Sequence, residues 1–246
     1  MIEINLGIME SHCQHKTIYN NLCLDCGRGI KKTERNFMKT HICMLLDRSG
    51  SMEKVKEETI TGFNNFVKEQ QLGLKKVVNG CDCKKCGCSN SITMTLIQFD
   101  DEFNVNFAKS DINMVSPLEY KPRGMTKLMD SIDFGIRQTA KDIDRDTDKV
   151  LFVIMTDGQD NASVNKLSDI AKTIRHYENE HKWQFVFIGT NMDAFTESSK
   201  IGIPYNWTYS TTYCSVPDMW NKFSKSAVVY VSSNTKQVDN FFGKEK

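Results

Sequence analysis

No stretch of the 246-residue chain approaches the length of unbroken apolar sequence that a transmembrane helix needs. The N-terminus, Met1-Ile2-Glu3-Ile4-Asn5-Leu6, has no basic segment followed by an apolar one, so the expectation is a soluble protein that does not use the usual secretion signal. An excess of either charge is lacking as well. With 32 Lys and Arg against 31 Asp and Glu, the net charge of +1 gives no global electrostatic reason to expect nucleic acid or an anionic membrane as a partner. Only a local basic patch leaves nucleic acid open. A recognisable nucleophile and base are also missing, since no motif ties His12, His15, His41, His176 or His181 to an aspartate at a strand end.

Cysteine is abundant and unevenly placed. Of nine cysteines, Cys13, Cys23 and Cys26 lie near the start, Cys81, Cys83, Cys86 and Cys88 form a tight knot, and Cys43 and Cys214 stand alone. Close pairs without a secretion signal favour metal chelation over a disulfide framework, which implies a reducing, cytoplasmic setting. The sequons at Asn161 and Asn206 are then chance matches. Cys13-Gln14-His15 followed by Cys23-Leu24-Asp25-Cys26-Gly27 offers three thiolates and an imidazole, enough for a closed tetrahedral Zn²⁺ site, with His12 as the replacement if His15 is not the ligand. The four thiols of Cys81, Cys83, Cys86 and Cys88 could wrap a second Zn²⁺, their charge offset by Lys75, Lys76, Lys84 and Lys85. A redox loop, an iron–sulfur centre, a reversible disulfide and shared ligands between the two clusters remain open alternatives.

The stretch around which the chain is organised is His41-Ile42-Cys43-Met44-Leu45-Leu46-Asp47-Arg48-Ser49-Gly50-Ser51-Met52. An apolar run ends in one carboxylate and two hydroxyls and is followed by a helical pattern. It reads as a buried strand that delivers Asp47, Ser49 and Ser51 to the sheet edge where ligands bind in α/β folds. Hard oxygens converging there suit a divalent cation such as Mg²⁺, or Mn²⁺ in its place.

The Asp-x-Ser-x-Ser spacing resembles the metal-ion-dependent adhesion site, or MIDAS, of von Willebrand factor A domains. Gly124-Met125-Thr126-Lys127-Leu128-Met129-Asp130 resembles that family's threonine loop, and Met155-Thr156-Asp157-Gly158-Gln159-Asp160-Asn161 its aspartate loop. All five positions of the family's metal motif are present: Asp47, Ser49, Ser51, Thr126 and Asp157. Taken alone, Thr126 would be read as a helix cap; beside the serine motif it is assigned to the cation.

Around these loops, strands alternate with amphipathic helices, which predicts a doubly wound α/β sheet. Residues 37–46 form its first central strand, and a helix runs from Met52 to about Gln71, with Val55, Thr59, Phe63, Phe66 and Val67 inward and Gly73 as its stop. A hairpin at residues 92–107 turns at Asp100-Asp101-Glu102 and adds an antiparallel edge strand. A helix carries Leu128, Ile132, Ile136 and Ala140; the run 150–155 is a strand covered on both faces; the next helix turns Leu167, Ile170, Ile174 and Tyr177 inward. Asp160 is assigned to helix entry. A strand at 183–188, a short helix closed near Gly202, a strand at 205–209 and a helix capped at Ser215-Val216-Pro217 complete the domain. The resemblance implies a mostly parallel sheet of about six strands, with the cation at the C-terminal edge of the first and fourth. The expected organisation is a zinc-knuckle-like segment and linker at 1–36, the main domain at 37–234 with a Cys-rich insertion at 73–91, and a flexible tail at 235–246. The function implied is Mg²⁺-dependent binding of a partner protein's Asp or Glu. Phosphoester hydrolysis and zinc-stabilised nucleic-acid binding are the alternatives.

Overall fold

The two continuous apolar runs lie side by side in the computed structural model, as neighbouring parallel strands buried along their whole lengths. The described residues are 38–79, 91–144, 147–190, 192–211 and 214–243, together with two short strands near the N-terminus. The chain divides into the units Met1–Asn36 and Phe37–Lys246. In the first, Ile18–Tyr19 and Leu22–Cys23 pair antiparallel. Cys23 closes the second of these strands, whereas Cys13, His15, Cys26, Cys81, Cys83, Cys86 and Cys88 lie outside the described residues, as does most of the expected insertion.

The larger unit holds a six-stranded sheet of β1 (Thr40–Asp47), β2 (Ile92–Phe99), β3 (Phe103–Asp111), β4 (Lys149–Thr156), β5 (Gln184–Gly189) and β6 (Thr208–Ser210), in the order β3-β2-β1-β4-β5-β6. Only β3 is antiparallel. The chain winds outward from β1 in one direction and from β4 in the other, which opens a crevice at the carboxyl ends of those two strands.

A 3₁₀ turn, Gly50–Val55, leads into α1 (Lys56–Asn79), and α2 (Leu128–Asp142), α3 (Leu167–His181), α4 (Ala194–Lys200) and α5 (Val216–Ser232) follow. Strand parity assigns helices to faces. A methyl group on Gly135 of α2 would touch Leu45 and Phe152, whereas Lys149, three residues before Phe152 and so on the opposite face, donates from Nζ to the carbonyls of Tyr230 (2.5 Å) and Ser233 (2.6 Å) at the end of α5. That buried lysine sets a positive charge against the carbonyl end of α5, while burial lowers its pKa to about 8. On the α5 face, α1 packs through Phe66 stacked on Phe223 at 4.9 Å and through Gly62, which accepts the Trp220 indole directly against its backbone. No helix among the described residues is long and apolar enough to cross a membrane.

Several expectations are corrected. Helix α1 does not stop at Gln71 but runs through Gly73 to Asn79, so the first residues assigned to the insertion are helical. Gly73 is a point of close approach, where a Cβ would come 3.3 Å from Val228 of α5, and Leu74 beyond it packs on the core. Leu167 is 39% exposed and lies off the inner face of α3. The expected last strand begins as a 3₁₀ turn, Tyr205–Trp207, and only Thr208–Ser210 pairs. Residues 235–243 are not a loose tail: Phe241 and Phe242 are buried, and the Gln237 side chain donates to the carbonyls of Glu178 and Trp183. The polar run before those phenylalanines concealed their anchoring role.

Two measurements test this packing. Gly62→Ala would drive a methyl group into the Trp220 ring and should destabilise the domain by about 1–3 kcal/mol in denaturant melts. His41 is buried, with Nδ1 2.9 Å from Thr93 Oγ1; burial, then the charge of Lys109, lowers its pKa to about 4 despite Asp148. The unfolded chain therefore takes up this proton first. The contribution is intact above pH 6.5 and is lost as the pH falls through 4, at a cost of about 3 kcal/mol. A His41→Gln variant should show a correspondingly shallower acid limb in stability against pH.

Candidate metal centre

Asp47 is the last residue of β1, where the strand ladder ends and the chain turns across the crevice. Its carboxylate is fully buried and held at both oxygens: Oδ1 accepts the Ser49 N–H at 2.7 Å, and Oδ2 accepts the Thr156 hydroxyl, at the end of β4, at 2.5 Å. The Tyr120 hydroxyl donates to the Asp47 carbonyl. From this anchor a line of oxygens runs outward. Ser49 Oγ lies 3.1 Å from Ser51 Oγ, and Ser51 Oγ donates to Asp157 Oδ1 at 2.6 Å. Thr126 is buried, its N–H donating to Asn161 Oδ1 (2.8 Å) and its carbonyl accepting the Asn161 N–H (3.1 Å). A methyl group built on Gly158 would stand 3.7 Å from Thr126 Oγ1 and 3.9 Å from Ser51 Oγ, so the two hydroxyls face the same small space. The five residues singled out from sequence thus converge on one point of the sheet edge.

The loops carrying them are locked by backbone and charge. Arg48 N–H donates to the Phe99 carbonyl (2.8 Å), Gly50 N–H to that of Gly124 (3.1 Å), and Arg123 N–H to that of Arg48 (2.7 Å). Gly124 has φ of +66°, and a side chain there would overlap the Asp101 carboxylate, so this crossing requires glycine. Beneath it lies buried Asp100, which the sequence placed in a tight turn. Its Oδ1 does accept the Glu102 N–H at 2.7 Å as a turn residue should, but Oδ2 pairs with Arg48 Nε at 2.9 Å and Arg123 Nε at 2.8 Å. Burial alone would raise its pKa; the Glu102 N–H and the two guanidinium groups outweigh burial and hold the carboxyl below its ordinary range.

Charge inside the pocket is expensive. Burial pushes Asp47 up to about 6, against the hydrogen bonds from Thr156 and Ser49, and burial also raises Asp157. A hard cation would relieve both. Neighbouring donors around an octahedral ion with bonds of 2.0–2.1 Å are about 3 Å apart. The Ser49–Ser51 and Ser51–Asp157 separations of 3.1 and 2.6 Å are of that order, and two carboxylates with three hydroxyls are the donor chemistry such an ion prefers. The residues fit Mg²⁺ or Mn²⁺. Among the described residues no group of three or more His, Cys, Asp or Glu side chains is placed to hold a metal.

Sequence reasoning missed several supporting residues. Thr156 stood inside the aspartate loop, where the continuous apolar run ended in a hydroxyl; that was the available signal. Asn161, dismissed as a chance sequon, clamps Thr126, while Tyr120 and Arg123 gave no local pattern. Asp160 is not an entry residue of α3, which begins at Leu167; it accepts the Met129 N–H (3.4 Å) in the first turn of α2 and the Ser163 hydroxyl (2.5 Å). Removing Asp100 should strand Arg48, whose side chain is 13% exposed, without its counter-charge. Asp100→Ala should therefore cost about 3 kcal/mol in denaturant melts. Arg123→Ala, on the 57% exposed arm, should cost less than about 1 kcal/mol.

The solved structures similar to this chain include the following three. Proximal thread matrix protein 1 from the mussel byssus, with a zinc-occupied MIDAS motif, aligns at TM-score 0.52 and 17% identity over 80% of this chain and 46% of that one. The vWF domain of the type V pili tip protein Mfa5 of Porphyromonas gingivalis aligns at TM-score 0.55 and 10% identity, over 80% of this chain and 98% of that one. Manganese-loaded TRAP protein of Plasmodium vivax aligns at TM-score 0.50 and 16% identity, over 79% and 72%. The chain spans about half the length of the mussel protein, and at these identities the likeness concerns the fold alone. No curated protein matches the chain. The sequence profile of the von Willebrand factor type A domain, however, matches residues 41–218, well over half of the chain and all of the six-stranded sheet except Thr40. On that match the chain belongs to the von Willebrand factor type A domain family.

Proposed function

We propose that this domain recognises an Asp or Glu side chain of a partner protein through a divalent cation, Mg²⁺ or Mn²⁺, held at the carboxyl ends of β1 and β4. The observation that carries the reading is the unbroken oxygen line Ser49–Ser51–Asp157, with Thr126 facing it, at an edge of the sheet open to solvent. Ser49, Ser51 and Thr126 would hold the ion through neutral hydroxyls, while Asp47 and Asp157 supply negative charge directly or through water. Bound there, the cation supplies Lewis acidity and an exchangeable position that an outside carboxylate can fill.

The rest of the chemistry belongs to the chain. Thr156 and the Ser49 N–H occupy both oxygens of Asp47 and fix its orientation; Asn161 fixes Thr126 from both sides of its peptide; Asp100 fixes the two loops against each other. Such rigidity suits binding. Among the described residues the histidines are engaged away from this pocket: His41 bonds to Thr93 of the neighbouring strand, and His176 and His181 pack around Tyr177 on α3. A cytoplasmic protein with Zn²⁺ at Cys13, His15, Cys23 and Cys26, and a second Zn²⁺ at Cys81, Cys83, Cys86 and Cys88, completes the proposal. Elemental analysis should return zinc that persists in Asp47→Ala.

Calorimetric titration with Mg²⁺ tests the site. Thr156→Val touches no cation yet should weaken Mg²⁺ binding about tenfold to a hundredfold, because Asp47 loses the partner that orients it. Asp47→Ala should abolish Mg²⁺-dependent partner capture. If that variant in chelator captures the same partners as the parent does in Mg²⁺, the reading is wrong.

A further inference from the structure

A groove separate from the cation pocket lies on the α1–α5 face. Between these helices runs a groove of about 350 Å³, lined on the α1 side by Glu57, Glu58, Asn65 and Glu69 and on the α5 side by Trp220 and Asn221. Its floor exists because residue 62 has no side chain: the Trp220 indole lies against the glycine backbone, where any Cβ would collide with it. Trp220 is 2% exposed and its Nε1–H has no acceptor, an unpaired donor inside a folded protein that ordinarily leaves few. Three carboxylates line one wall, and among the described residues no Lys or Arg lines the groove and no ion pair engages Glu57, Glu58 or Glu69.

We infer that this groove binds a basic peptide segment of a partner protein. Each part of such a ligand has a counterpart. Lysine or arginine head groups meet the glutamates, their aliphatic stems lie along the exposed Pro217 ring, and peptide amides and carbonyls find Asn65, Asn221 and the unpaired Trp220 N–H at the floor. A bare cation would use the carboxylates but leave the indole and the amides idle. The groove is separate from the cation pocket in its residues and its chemistry, and its occupation does not require Mg²⁺.

The probe is a fluorescein-labelled nonapeptide of alternating Arg and Ala, titrated into the full chain by anisotropy in chelator, with amide NMR shifts mapped on unlabelled peptide. Shifts should cluster at residues 57–69 and 217–224, and affinity should fall about tenfold in the triple variant Glu57→Gln, Glu58→Gln, Glu69→Gln, as expected for the loss of three exposed charge pairs. Asn65→Arg, which places a cation in the groove, should block the probe. Asp47→Ala should leave binding unchanged, so a failed cation site and a failed groove give different results. Unchanged affinity in the triple variant, shifts mapping elsewhere, or spermine binding as tightly as the peptide would each overturn the assignment.

Discussion

A buried carboxylate that cannot move is the constraint on which the rest of this structure depends. Asp47 has been carried out of water on the end of a strand with no exposed face, and burial disfavours its charge enough to raise its pKa to about 6. The fold answers with two hydrogen bonds that take up both oxygens, one from the loop that follows β1 and one from the end of β4. Because β1 and β4 are the strands at which the winding of the sheet reverses, the clamp exists only when the whole topology is correct. Two hydrogen bonds reduce the cost of the buried charge without removing it. The remaining deficit is what a cation at that edge would relieve.

The surrounding loops follow from the same logic. Neutral hydroxyls cost less to desolvate than carboxylates, and they would leave a bound ion short of negative charge. Their positions are fixed by backbone hydrogen bonds between segments far apart in sequence, with Gly124 permitting the crossing and Asp100 drawing Arg48 and Arg123 to one buried oxygen. Anchoring and the proposed recognition would thus be served by different side chains. Asp100 and Asn161 hold, while Ser49, Ser51 and Thr126 present.

Much of this was legible in the sequence, and the exceptions have physical causes. The apolar runs at β1 and β4 announced strands covered on both faces, and the oxygen-bearing residues at their ends marked the edge. Local pattern could not show what is set by contacts between distant segments. Gly73 looks like a helix stop because glycine tolerates left-handed backbone, yet here its missing side chain admits Val228. Asp100 satisfies the ordinary description of a turn residue with one oxygen and anchors two arginines with the other. Phe241 and Phe242 follow a polar run that reads as tail, and only the shape of the packed core reveals their seats. In each case the sequence displays a local pattern, and a contact with a distant segment decides the residue's role.

The central claim concerns where a hard cation sits. Crystals of the full chain grown with Mn²⁺ and measured at its absorption edge locate that ion by anomalous scattering without assumption about its ligands. The account predicts a peak within about 2.3 Å of the Ser49, Ser51 and Thr126 hydroxyl oxygens. A peak elsewhere on the chain, with Ser49, Ser51 and Asp157 still hydrogen-bonded to one another, would contradict it.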